Sequence, residues 1–576
     1  MFAARRTIVG SKTWTCCRCR LLSTATERRP SLKLPIFPAR TRFAPSPTGY
    51  LHLGSLRTAL FNYLTAKATG GQFILRVEDT DKKRTVEDAE SMLYKDLKWA
   101  GLQWDEGPDI GGLYGPYKQS ERTSLYQSHA KKLLDSGHAY RCFCSPERLN
   151  NLAKERSDLG LPTDYDRMCT NISMAEADER STKMESHVVR LKMPDVAPVY
   201  NDLVYGPIGQ RRKTEKSQLL RAGQWSSYED PVLIKSDGLP TYHLANVVDD
   251  HHMRITHVIR AVEWMPSTPK HMVLYKAFDW EPPTFAHVGL LLDDSRQKLS
   301  KRGLASDIRG FERDGFFPEA LLNFVALFGW SHRLGDDFIN LQELVKNFDL
   351  KFTKGNTIAS PLKLFHLQGR YAEKYIKEGG KEYESMIDRL HTVVAKHLAE
   401  CPENQVWTDN KLRDRIAAIL RLDAANYTTP NEFFARLSPL FCSQPRKEWE
   451  SHPEDHVLKD NMDTIVNSFK EVSCQRWSEA NLKDVLSQMT SALEAKWDGN
   501  GDVAYDLDPT AGKRRMSIVK SFLRWALFGG RSGPTLMVMM NVLGRDLSLQ
   551  RIEDAAAQLD TIVPETVRTS AETLGM

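Results

Sequence analysis

One stretch, TRFAPSPTGYLHLGSLRTALFNYLTAKATGGQFILRVEDTD from Thr41 to Asp81, constrains this chain more than any other. It reads as a strand, a Gly/Pro turn, an amphipathic helix and a second strand. Phe43 and Ala44 run into Pro45, Pro47 and Gly49, which stop a strand and force a bend. Ser55 is expected as N-cap of a helix whose apolar positions Leu56, Leu60, Tyr63 and Leu64 recur at helical spacing until Gly70 and Gly71. Phe73, Leu75 and Val77 then alternate with Ile74, Arg76 and Glu78, a strand that delivers Glu78, Asp79 and Asp81 at its end. A helix that begins just after such a turn presents unpaired N–H groups and a positive dipole end, a natural seat for phosphate. His52 stands in that turn, although a lone histidine there is more often structural.

PSPTGYLHLGS resembles the HIGH signature of class I aminoacyl-tRNA synthetases, and its flanks RFAPSPTG and FILRVEDTD resemble the glutamyl-tRNA synthetase version, of bacterial and mitochondrial type. That resemblance implies a second signature far downstream. VGLLLDDSRQKLSKR ends in Lys298, Leu299, Ser300, Lys301 and Arg302, similar to the family's KMSKS loop. Between the two, LPTYHLANVVDDHHMRITHVIRAVEW reads as a short helix with Leu244, Val247 and Val248 on one face, then a strand (Ile255, Val258, Ile259) ending at Arg260. Ligands of open α/β sheets bind beyond the carboxyl ends of strands, so Arg260 stands where a carboxylate can be gripped.

The family resemblance implies an α/β fold: a Rossmann-type parallel-sheet catalytic domain split by an insertion, then a stem-contact region and an all-helical anticodon-binding domain. Along this chain the expected parts are a first catalytic half at 38–121, an acceptor-stem-binding insertion at 122–241 and a second catalytic half with the KLSKR loop at 242–302. A stem-contact region at 303–379 and a helical domain at 380–576 follow. Strand-like HVVRLKM and DLVYG fall within the insertion, with basic Arg211, Arg212 and Lys213. PEALLNFVALFGW resembles the stem-contact region. LRDRIAAILRL, MDTIVNSFKEV and LKDVLSQMTSALEAK carry helical periodicity. Basic Lys513, Arg514, Arg515, Lys520 and Arg524 are expected to face RNA.

The implied chemistry is ATP-dependent joining of L-glutamate to tRNA-Glu through a glutamyl-adenylate, with Mg2+ as cofactor and no protein nucleophile. His52, Lys301 and Lys298 are the catalytic candidates. His52, Gly54, Ser55, Glu263 and Lys301 are expected to bind ATP. Arg42, Phe43, Ala44, Ser46, Glu78, Tyr242, Asn246 and Arg260 are expected to bind glutamate, with Arg42 and Arg260 on carboxylates and Glu78 on the α-ammonium. No protein residue is assigned to a metal in the active site. The second His of HIGH is Ser55 here, and Arg302 closes the second signature; both are normal for the glutamyl branch. Whether tRNA-Gln is charged as well stays open. A glutaminyl-tRNA synthetase would be expected to carry a β-barrel anticodon module, and a small-molecule nucleotidylyltransferase would leave the carboxylate-gripping residues and the C-terminal helices without a task.

The first 26 residues hold Arg5, Arg6, Lys12, Arg18 and Arg20, several Ser and Thr and no acidic residue, the composition of a mitochondrial presequence, expected over 1–37. That leader has eight Lys/Arg against one Asp/Glu, so the chain's net charge of +5 becomes −2 without it, and RNA contact must come from local patches. The expected setting is the mitochondrial matrix, the expected state a monomer. No apolar run reaches the ~18 residues of a membrane span. Of nine cysteines, Cys142, Cys144 and Cys169, with Tyr165, resemble a zinc knuckle of some bacterial relatives. Three cysteines are one ligand short of the usual four, and Asn171 stands where another would follow, so zinc and three buried thiols are both left as readings.

Overall fold

The structure, a computed structural model, describes residues 34–562 apart from 82, 161–162, 164, 195, 197, 210–229, 298–306, 401–408, 443–445, 451–454, 499–510 and 532. Lys298, Lys301, Arg302, the Arg211–Lys213 cluster and the leader up to residue 33 lie outside the described residues.

A six-stranded sheet organises the first compact unit, residues 1–299 with 325–359. β1 (Arg40–Phe43) leads through the Pro-rich turn into α1 (Leu53–Ala68), which returns to β2 (Gln72–Leu75). β1 and β2 pair in parallel, with Arg42 opposite Ile74 and Phe43 opposite Leu75. This is a strand–helix–strand crossover, and its helix is not the amphipathic one expected from the sequence: Leu56, Leu60 and Leu64 are buried, and so are Arg57, Phe61 and Ala66, because α1 is covered on more than one side. α2 (Ala89–Trp99) and α3 (Thr123–Asp135) follow. The chain then forms β3 (Ala139–Cys142), β4 (Val188–Leu191), β5 (Tyr200–Asp202), β6 (Gly206–Ile208) and β7 (Val232–Ile234). β3, β4 and β7 make a separate antiparallel sheet.

DLVYG, expected inside the insertion with HVVRLKM, is not on that small sheet. β5 and β6 join the catalytic sheet, whose order is β2-β1-β8-β9-β5-β6. The reason is pairing: β5 lies parallel to β9, with Asp202 opposite Phe285. β8 (His257–Ala261) and β9 (Thr284–Val288) are parallel neighbours, preceded by α4 (Tyr242–His252) and separated by α5 (Thr268–Ala277).

Strands covered on both faces bury every side chain. β2 ends at Leu75, short of the Glu78 that the pattern places at the end of the strand, and the alternation of apolar and polar residues in FILRVED does not mark a solvated face: Arg76 is 0 % exposed and Glu78 9 %.

Residues 325–359 belong to this unit. α6 (Leu341–Asn347) packs on α1, Phe61 meets Phe348 and Phe352 with ring centroids 6.0 and 4.9 Å apart, and β11 (Thr357–Ile358) pairs with β10 (Leu291–Leu292). The stretch 303–379, expected as one stem-contact region, is thus divided: 300–324 and 360–576 form the second unit. Among its described residues that unit is helical from Pro361 to Ile562, with cores such as Leu364, Leu367, Met386, Leu390 and Phe522, Met540, Ile552. Among the described residues no helix is long and apolar enough to cross a membrane.

Candidate active site

The carboxyl ends of β1, β2, β8 and β9 share one edge of the sheet because the four strands are parallel. That edge gathers the charged residues.

At the end of β1, α1 is capped by His52 and not by Ser55. His52 has extended backbone (φ −117°, ψ 167°), and its Nδ1 accepts from the N–H of Ser55 at 3.3 Å. Ser55 stands at the third helical position instead. An Nδ1 that accepts a backbone N–H leaves the ring proton on Nε2, which meets Ser55 Oγ at 3.1 Å. The exposed imidazole thus presents an N–H at the amino end of a helix, where a phosphate oxygen can replace the hydroxyl. Gly54 leaves room for the ring, since a Cβ there would stand 3.2 Å from His52 Cε1. Ser46 is exposed in the turn, Phe43 is buried and Ala44 half-buried. The turn is tied to the strand beyond β2, Arg76 N donating to Phe43 O and Glu78 N to Pro45 O, both at 3.0 Å.

Behind that turn lies a buried ionic network. Arg42 donates through Nε and Nη2 to Asp250 at 3.1 and 3.3 Å. Asp250 also accepts from Arg76 Nη1 at 2.7 Å, and Arg76 Nη2 donates to Glu78 at 3.1 Å. Asn246 Nδ2 meets the same Glu78 oxygen at 3.1 Å. Asp249 takes Arg122 at 2.7 Å, Gln119 at 2.9 Å and the hydroxyl of Tyr126. Unpaired buried charge is costly, and here each cation has a carboxylate. Burial pushes the carboxyl of Glu78 above its ordinary value, only partly opposed by Arg76 and Arg42. Burial acts on Asp250 too, but Arg42 and Arg76 outweigh it and hold that carboxyl below its ordinary value.

Arg260 is held differently. Its Nη1 donates to Tyr242 Oη and its Nη2 to Thr268 Oγ1, both at 2.8 Å. Its Nε donates to His287 Nε2 at 3.1 Å. Burial drives His287 and His271 down, His271 well below the usual range, so both rings are neutral near pH 7. Trp264 stacks obliquely on Tyr242 with centroids 4.4 Å apart. Glu263 is exposed on the short 3-10 helix Val262–Ser267 just past Arg260.

The structure therefore joins Arg42, Glu78 and Asn246 in one network, Tyr242 with Arg260 in another, and His52 with Gly54 and Ser55 at the helix start. Residues the sequence reading passed over are Arg76, Asp249, Asp250, Thr268, Trp264, Asp202 and His287. A signal existed for some of them: Arg76 interrupts an apolar strand, and Asp249 and Asp250 end a helix whose other face is Leu244, Val247 and Val248.

Away from this edge, Cys142, Cys144 and Cys169 bring their sulfurs within 4.8 Å of one another, Cys144 and Cys169 to 3.5 Å. The fourth group is Tyr165, whose hydroxyl is 3.3 Å from Cys142 Sγ and 3.5 Å from Cys144 Sγ. Tetrahedral zinc with bonds of ~2.3 Å sets its sulfur ligands ~3.7 Å apart, so three sulfurs and a phenol oxygen fit such an ion.

Known proteins resemble this chain over most of its length. Residues 38–361 match the family model described as tRNA synthetases class I (E and Q), catalytic domain, and residues 513–556 match an anticodon binding domain. The chain is 36% identical over 522 residues to the glutamate–tRNA ligase of Borreliella burgdorferi, covering 89% of this chain and 97% of that protein. It is 37% identical over 529 residues to the mitochondrial glutamate–tRNA ligase of Saccharomyces cerevisiae, covering 90% and 91%. A crystal structure of a glutamate tRNA ligase from Elizabethkingia meningosepticum in complex with its amino acid superposes with a TM-score of 0.70 at 30% identity, covering 91% of this chain and all of that one.

Proposed function

The chain belongs to the class I tRNA synthetases for glutamate and glutamine, and from that premise we propose that it is a glutamate–tRNA ligase that esterifies L-glutamate to tRNA-Glu through a glutamyl-adenylate. The α-carboxylate of glutamate attacks the α-phosphorus of ATP and pyrophosphate leaves. The terminal ribose hydroxyl of the tRNA then displaces AMP from the mixed anhydride. Neither step needs a protein nucleophile, so rate comes from orientation and from charge placed where the phosphates gain it.

His52 supplies the Nε2–H donor at the start of α1, and Lys301 and Lys298 supply cations to the triphosphate from the KLSKR loop. Mg2+ binds chiefly through substrate phosphates in such sites and so enters with ATP. Arg42 and Arg260 receive the carboxylates of glutamate, Ser46 and Tyr242 hydrogen-bond it, and Glu78 holds the ammonium. Gly54, Ser55 and Glu263 complete the ATP contacts. Both ends of a zwitterionic, acidic substrate thus meet opposite charge.

Arg260 is the observation that supports an acidic substrate best. It is a buried cation whose hydrogen-bond partners Tyr242, Thr268, His287 and His271 are all neutral. A surplus cation of this kind suits a carboxylate far better than a carboxamide. The test is Arg42→Ala and Arg260→Gln in aminoacylation: KM for glutamate rises far more than KM for ATP in each. Equal increases in both constants would contradict the assignment.

The helical C-terminal region, with Lys520 exposed on the helix Ala511–Phe528, is assigned to reading the anticodon. We assign the leader to mitochondrial import and the enzyme to the matrix, acting as a monomer, with the tRNA-Gln question left to direct assay. The Cys142, Cys144, Tyr165 and Cys169 cluster is assigned a structural zinc, which would tie the insertion together and take no part in the reaction.

A further inference from the structure

Arg260 and His287 are register partners on the parallel strands β8 and β9. Their side chains therefore leave the same face of the sheet side by side. The contact this makes is directional. Arg260 Nε donates to His287 Nε2 at 3.1 Å, and Thr268 Oγ1 stands 3.2 Å from the same nitrogen. Nε2 must then carry a lone pair, and the ring proton must sit on Nδ1.

The next strand explains why it does. β5 brings Asp202 against the ring, with His287 Nδ1 2.6 Å from Asp202 Oδ2 and both side chains fully buried. The other oxygen, Oδ1, accepts the backbone N–H groups of Val204 and Tyr205 at 2.9 and 3.0 Å, so the carboxylate is pinned and cannot rotate. Asp202, His287 and Arg260 form a chain with one sense of proton donation. Its effect on charge differs from the direct pairing of Arg42 with Asp250. A neutral imidazole separates Asp202 from Arg260, so Arg260 is oriented without an adjoining carboxylate to neutralise it.

We propose that Asp202 and His287 are positioning residues for amino-acid selection: Asp202 fixes the Nδ1–H tautomer of His287, and His287 holds Arg260 as an uncompensated cation for the substrate carboxylate. The proposal rests on the assignment of Arg260 to glutamate made above.

Asp202→Asn tests it, because the change is isosteric. Oδ1 stays with Val204 and Tyr205, so the amide nitrogen turns toward His287 and donates to Nδ1. The ring proton must then move to Nε2, where it faces the Nε–H of Arg260. KM for glutamate should rise ~10²-fold, the usual loss from a small misplacement of a binding group, with KM for ATP unchanged. His287→Gln keeps an N–H for Asp202 and an oxygen for Arg260, so its loss should be smaller, ~10-fold. His287→Leu removes both and should match Asp202→Asn. A merely structural pair would give the reverse order, with isosteric Asn mildest. In the 15N spectrum of histidine-labelled protein, the His287 signals, identified by their absence in His287→Gln, should report an Nδ1–H ring that becomes Nε2–H in Asp202→Asn.

Asp202→Asn with wild-type KM for glutamate, while Arg260→Gln raises it, would overturn the chain and leave the assignment of Arg260 standing. If Asp202→Asn does not fold, the Gln and Leu variants decide, and equal losses in the two overturn the proposal. An unchanged KM for glutamate in Arg260→Gln would instead remove the assignment on which the proposal rests.

Discussion

Arg42 and Asp250 lie two hundred residues apart in sequence yet meet in a two-donor ion pair, Nε at 3.1 Å and Nη2 at 3.3 Å, both buried. The pair joins the end of β1 to the end of α4, the two separated pieces of chain that flank the substrate edge. Asp250 therefore orients Arg42, the arginine proposed for a glutamate carboxylate, while Arg76 shares its charge.

Removing that carboxylate should show in both function and acid stability. Asp250→Asn keeps the shape but leaves Arg42 and Arg76 short of an anion, a change that typically costs 3–5 kcal/mol for a buried pair. The folded state holds Asp250 below its ordinary value, so its contribution is complete above the unfolded carboxylate range and is lost as pH falls through the folded value. Urea unfolding below pH ~4 should be steeper with pH in the wild type than in the variant. Parallel curves would contradict this.

Glu78 behaves in the opposite sense. Its carboxyl is raised by burial, and only the ionised form can hold the α-ammonium of glutamate. As pH falls, kcat/KM for glutamate should decline above the range of a free carboxylate. Glu78→Gln should lower kcat/KM ~10²-fold and abolish that acid limb. A limb that persists unchanged in the variant would assign it to another group.

His52 caps α1 and is proposed as a donor to ATP, and substitution can separate the two. His52→Ala should slow adenylate formation 10²–10³-fold, the usual loss of one charge-stabilising donor, and should cost about 1 kcal/mol of stability through the lost helix cap. His52→Asn restores a good cap but not the donor, so it should recover the melting temperature and not the rate. Recovery of both would show that His52 is only a cap. Lys301→Ala should slow the same step to a similar degree and leave the melting temperature alone.

The cysteine cluster predicts a metal content. Purified protein should carry one zinc per chain by mass spectrometry, and Cys169→Ser should lose it. Chelation should lower the melting temperature of the wild type and leave Cys169→Ser unmoved. A metal-free wild type whose Cys142, Cys144 and Cys169 all react freely with a thiol reagent after denaturation would establish three thiols instead.

Sequence was most informative where chemistry demands a fixed local order. The strand–turn–helix around His52 and the helix–strand around Arg260 carry their constraints in neighbouring residues, and both form, with the cap at His52 in place of Ser55 and the second strand running from His257 to Ala261. What was hidden depends on contacts between distant segments. The cap at His52 escaped because imidazole is not a usual capping group, whereas Ser55 is. The burial of Arg76 is not legible in the alternation around it, because alternation alone cannot tell that a second layer covers the strand. Asp202 was assigned to the insertion because its short strand follows HVVRLKM closely, while its pairing partner, β9, lies some eighty residues downstream. Tyr165 was visible beside the cysteines, but only folding brings its oxygen to the place a fourth ligand would take.

Selection of glutamate through buried arginines is tested by charging assays with the full protein. L-glutamate and L-glutamine should each be offered with ATP to transcripts of tRNA-Glu and tRNA-Gln. tRNA-Glu should be esterified with glutamate, and glutamine should be rejected on both transcripts. Glutamine esterified in preference to glutamate, or no charging of tRNA-Glu with glutamate at all, would contradict that selection.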